Sequence, residues 1–138
     1  MAKASLNGVR KMKSDLYGLT KEEQVFEFYL NNPVEACRDL LGIELAWFQR
    51  IELRELWYKT YCLVKWGRGT SKTFSMARYV VLKAMMFPDT KIGIIGPSLK
   101  QGGFLFDEIE SLYSNSPFFR ASVNGKITRA TDRYIFKT

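Results

Sequence analysis

The chain has 138 residues, no histidine, two cysteines, a net charge of +7 and an isoelectric point near 9.5. That length fits one domain, and a hydrophobic share of 46% is enough for a real core. Imidazole catalysis and histidine metal ligation are excluded within this chain, no apolar run approaches a membrane span, and no apolar signal core opens it. No membrane contact is expected, and the basic balance fits a polyanionic partner.

Residues 1–19 are basic and turn-rich, with Lys3, Arg10, Lys11 and Lys13 beside Gly8 and Gly18, and read as a mobile arm. Residues 20–60 read as a helical lead-in. Thr20 and Glu23 make a capping box for a helix from Lys21 to about Leu30, with Val25, Phe26, Tyr29 and Leu30 as its apolar face. Pro33 suits the first turn of a second helix that ends at Gly42. A third helix is expected near Ala46 to Thr60, with Gln49 and Arg50 in its first turn.

Residues 61–138 read as a partial α/β core. Tyr61 to Val64 are aromatic or apolar, as in a buried parallel strand. Gly67 and Gly69 let the following loop curl, so that its N–H groups and the start of the next helix point at one place. That arrangement holds a phosphate. Lys72 brings a cation to it, and the Thr73 hydroxyl suits Mg²⁺. The match to G-x-x-x-x-G-K-[ST] is partial, because Trp66 and Ser71 stand where its two glycines belong. An ordinary strand-to-helix turn with a solvated Lys72 is the plain alternative.

A long helix is expected from Phe74 to Phe87, then a second buried strand, Lys91 to Ile95, completing a βαβ unit with a parallel sheet. Another helix should run from about Lys100 to Tyr113. The run Phe104-Leu-Phe-Asp-Glu108 has the look of a Walker B strand, but Leu105, Ile109, Leu112 and Tyr113 recur at helical spacing. Asp107 and Glu108 are therefore expected on a solvated helix flank. Residues 120–138 alternate around Asn124-Gly125 and predict two or three short antiparallel strands. Cys37 and Cys62 have no metal or disulfide spacing and read as small packed side chains.

Taken in order, several stretches resemble the ATPase part of the large terminase subunit of tailed bacteriophages. They are Asn32-Pro-Val-Glu35 to Leu41-Gly42, Leu45-Ala-Trp-Phe-Gln49-Arg50, Gly67-Arg-Gly-Thr-Ser-Lys-Thr73, and Ile94-Ile-Gly-Pro-Ser98-Leu-Lys-Gln101. The resemblance spans roughly residues 20–138. It implies an α/β fold: a RecA-like P-loop NTPase parallel sheet flanked by helices, incomplete, with the helical lead-in ahead of it. It implies an ATP- and Mg²⁺-dependent motor that drives double-stranded DNA into a procapsid. The expected partners are the portal protein and the small terminase subunit, and the setting a ring in the host cell cytoplasm.

By that resemblance Lys72 and Arg68 act on the phosphates, with Arg68 stabilising charge on the γ-phosphate. Gly67, Gly69, Thr70 and Ser71 complete the ATP loop, Thr73 holds Mg²⁺, and Gln49 reads the adenine edge. Lys100 and Gln101 are candidate DNA contacts. No Walker B acid pair or nuclease domain follows, so the chain is expected to be an N-terminal piece that hydrolyses ATP weakly or not at all. A superfamily-2-type helicase piece, a small-molecule kinase and a non-hydrolysing DNA-binding or assembly domain remain open.

Overall fold

The computed structural model describes residues 18–87, 89–123, 127–129 and 134–136. It forms two units, one ending at Asn31 and one from Asn32 onward. In the first, helix α1 (Lys21–Asn31) opens with the expected capping box. The Thr20 N–H donates to the Glu23 carboxylate at 2.6 Å, and the Glu23 N–H donates to Thr20 Oγ1 at 3.3 Å. None of its residues is buried. The expected basic arm lies almost wholly outside the described residues.

The second unit is a helical assembly. Helix α2 (Pro33–Leu41) starts on its proline and stops at Gly42, whose φ of +71° is the left-handed conformation that glycine takes without strain. It is followed by α3 (Trp47–Tyr58), α4 (Lys72–Met86), α5 (Leu99–Asn115) and α6 (Pro117–Ser122). Helix α4 is the hub, packed against α2, α3 and α5. Its Ala77, Val81 and Leu82 are fully buried, and Leu105, Ile109 and Leu112 of α5 supply the facing stripe. Ser116 caps α6 by accepting from the Phe119 N–H at 3.3 Å, and its hydroxyl donates to the Leu40 carbonyl of α2 at 3.2 Å.

The parallel sheet expected for this chain is not formed. Residues 61–67 and 90–96 are irregular, with no strand pairing among the described residues. They are exposed: Tyr61 by 92%, Leu63 by 93% and Ile95 by 98%. The physical reason is the competition for α4. A buried parallel strand needs neighbouring strands and a covering helix layer, whereas the apolar faces of α4 are already filled by α2, α3 and α5. Strand propensity without that context does not bury a strand. The α/β, P-loop parallel-sheet expectation is therefore corrected to a helical unit.

The described β structure is one antiparallel pair, β1 (Ile127–Arg129) and β2 (Tyr134–Phe136), with Thr128 opposite Ile135. This agrees with the alternation seen at the chain's end, although residues 117–122 are helical, so the strands begin later than residue 120. The Asn124-Gly125 turn lies outside the described residues.

Cys37 is buried in α2 and Cys62 is exposed, so only Cys37 fits the reading of both cysteines as packed side chains. Burial pushes the Cys37 thiol up to about 12 from its ordinary 9.0, outweighing the nearby Arg78 cation. A raised acid pKa in the fold means stability that is fully present below the unfolded value and is lost as pH rises through the folded one. Equilibrium unfolding is therefore expected to show falling stability above about pH 9, with a Cys37→Ala variant losing that dependence. Native protein should react with Ellman's reagent at Cys62 first, and at Cys37 only on unfolding.

Candidate functional site

The loop leading from residues 61–67 into α4 borders a cavity of about 470 Å³ lined by Arg68, Gly69, Thr70, Ser71, Lys72, Thr73, Phe74 and Glu108. Six of the expected ATP-site residues, Arg68 to Thr73, meet there. A volume of that order lies within the range of small-molecule sites.

The backbone makes the cup. Gly69 has φ +84° and Ser71 φ +58°, two left-handed residues around Thr70. Gly67 and Gly69 have open space where a side chain would begin, so a ligand can approach the backbone closely. The Thr70 hydroxyl pins the turn by donating to the Gly67 carbonyl at 2.8 Å. Ser71 precedes α4 with no side-chain cap, so the first-turn N–H groups of the helix are left for another acceptor. Lys72 folds back over the loop and donates to the carbonyls of Trp66 at 2.8 Å and Gly67 at 3.3 Å.

Ser71 thus occupies a position that glycine would take at no steric cost. A left-handed non-glycine residue costs about 1–2 kcal/mol, partly offset by the greater entropy that glycine loses on folding. Ser71→Gly is expected to stabilise the chain by about 0.5–1 kcal/mol, and Gly69→Ala to destabilise it by about 1 kcal/mol, both read by urea unfolding. If Ser71→Gly is destabilising, the left-handed geometry at residue 71 is wrong.

The far wall comes from α5. Glu108 accepts from Arg78 Nη1 at 2.7 Å, and Arg78 also donates to the Phe74 carbonyl at 3.0 Å. The Arg78 guanidinium lies 3.3 Å from the Phe74 ring centroid. Burial lowers the Arg78 pKa, opposed by the Glu108 carboxylate. The expectation for this acidic pair is corrected for Glu108: the segment is helical as read, but Glu108 is part-buried and paired. Its signal was in the sequence, since residue 108 lies three positions after Leu105 and four before Leu112, on the buried stripe.

The other expected residues sit elsewhere. Gln49 is buried and accepts the Ala46 N–H through Oε1 at 3.0 Å, a helix-capping contact at the start of α3. It is not among the residues lining the cavity. Lys100 and Gln101 fall in the first turn of α5, and the DNA-contact expectation concerns side chains outside the described part. Sequence reasoning missed two buried groups near the loop, Glu52 on α3 and Arg78 on α4.

As for cofactors, the cavity's lining includes Arg68 and Lys72, side chains of the kind that bond phosphate oxygens. Thr73 lines it, but among the described residues no group of three or more histidine, cysteine, aspartate or glutamate side chains could hold a metal ion. Mg²⁺ commonly takes few protein ligands and completes its shell with phosphates and water, so Thr73 fits that sparse role. No protein-family model, curated protein or solved structure matches the chain.

Proposed function

We propose that the loop from Trp66 to Thr73 binds the phosphates of a nucleoside triphosphate, and that the chain serves as the ATP-binding part of a viral DNA-packaging motor. The observation that carries the nucleotide half is that Arg68, Lys72 and the first turn of α4, which Ser71 does not cap with its side chain, line one cavity. The motor half rests on the terminase resemblance of the quoted stretches and on the net charge of +7, which favours a polyanion such as double-stranded DNA.

In this reading the α4 N-terminus and the Gly67–Ser71 backbone orient the phosphates. Lys72 leaves the Trp66 and Gly67 carbonyls to meet them, and Arg68 supplies a planar two-pronged donor for the terminal phosphate. Bound Mg²⁺ would neutralise phosphate charge, with Thr73 as its protein ligand.

A second reading, nucleotide binding without hydrolysis, is favoured by one observation. Glu108 is the carboxylate among the cavity's lining residues, and it is committed to Arg78. Competition binding with ATP, ADP and AMP, followed by a turnover assay with and without duplex DNA, tests both readings. The motor reading expects a triphosphate preference and salt-sensitive DNA binding. Equal affinity for all three nucleotides would remove it, and binding without turnover would select the second reading.

A further inference from the structure

Among the described residues, the buried side-chain polar atoms without a hydrogen-bond partner are both carboxylate oxygens of Glu52, Trp66 Nε1, Ser75 Oγ and Arg78 Nε. They are not scattered. Glu52 comes from α3, Trp66 from the loop, and Ser75 and Arg78 from the first two turns of α4. Native interiors hold few such atoms, and each calls for a reason. Glu52 is 5% exposed and Ser75 6%. Burial raises the Glu52 pKa, while the Ser75 hydroxyl and the Trp66 indole lie near enough to pull it back toward the charged form. Helix α3 also meets the loop through Phe48, whose ring is 5.6 Å from that of Trp66.

These contacts link directly to the cup. The Trp66 carbonyl accepts from Lys72, and the Ser75 N–H donates at 3.0 Å to the carbonyl of Ser71, a residue that lines the cavity. We propose that Glu52 is a positioning residue for this loop: its buried carboxyl group is the acceptor that the unpartnered Trp66 indole N–H and Ser75 hydroxyl reach with a small side-chain adjustment, holding the two ends of the loop against α3. The nucleotide half of this proposal rests on the reading above, whereas the loop-holding half stands on the free protein. A carboxyl group kept only for packing would be replaceable by leucine, since an apolar residue of similar size relieves the desolvation of a buried acid.

The test compares the full chain with Glu52→Leu, Glu52→Gln and Trp66→Phe, reading melting temperature, amide exchange over residues 65–75 and MgATP affinity. The Leu variant should melt at or above the parent temperature, yet exchange its loop amides about tenfold faster and bind MgATP about tenfold more weakly. The Gln variant, which can still accept from both donors, should keep parental exchange and affinity. A Leu variant with parental loop exchange and affinity overturns the proposal and leaves the nucleotide reading standing. A parent chain that binds no MgATP overturns the nucleotide reading, and loop exchange then decides the role of Glu52 alone. Should the Leu variant not fold, Trp66→Phe carries the same expectation of faster loop exchange, and parental exchange in it overturns the proposal.

Discussion

Replacing Lys72 by alanine is expected to weaken MgATP binding about 10- to 100-fold, because a hydrogen bond from a charged donor is worth about 1.5–3 kcal/mol. The side chain is exposed and donates to two loop carbonyls, at 2.8 Å and 3.3 Å. Losing those solvent-accessible bonds should cost no more than about 1 kcal/mol of stability. Affinity and stability therefore separate in this variant. Isothermal titration calorimetry beside urea unfolding reads the two, and unchanged affinity would remove Lys72 from the site.

The largest loss of stability is expected from Arg78→Ala. Arg78 has a side chain 7% exposed, paired with Glu108 at 2.7 Å and stacked on Phe74. Removing one partner of a buried pair costs about 3–5 kcal/mol. The Glu108 side chain, at 37% exposure, can turn to water and recover part of its solvation. We therefore expect about 2–4 kcal/mol, with part of it from lost packing on Phe74. Glu108→Ala leaves a buried cation without its partner, beside an Nε already lacking one, and should destabilise by a comparable amount. The double variant Arg78→Met with Glu108→Leu should recover most of the loss, since apolar replacement of a buried pair is often neutral or better. A double-mutant cycle in urea reads the coupling, and strictly additive losses would show that the pair contributes nothing.

Local signals were legible where a few neighbouring residues decide the outcome. The Thr20–Glu23 capping box, the Pro33 start and the Gly42 stop depend only on short-range backbone chemistry, and each is found in the structure. The residues read locally as a loop at a helix mouth, Arg68 to Thr73, do line one cavity. The parallel sheet was misread because burial of Tyr61 to Val64 and Lys91 to Ile95 depends on distant partners. An apolar, β-branched run says that a segment can be a strand, and nothing about whether α4 has a free face to cover it. An amide in a first turn can read a base or cap its own helix, and in the structure the Gln49 Oε1 accepts from the Ala46 N–H. Glu52 was hidden among surface-like residues of α3, and only the packing of α3 on α4 shows it buried.

The central claim is that the backbone from Gly69 to Phe74 receives a triphosphate. Amide chemical-shift mapping of the ¹⁵N-labelled chain during titration with MgATP tests it most directly. The account predicts saturable shifts centred on the N–H groups of Gly69, Ser71, Lys72 and Thr73, with smaller ones at Trp66 and Glu108, and their loss in Lys72→Ala. Shifts confined to other elements, or a spectrum unchanged at millimolar nucleotide, would contradict it.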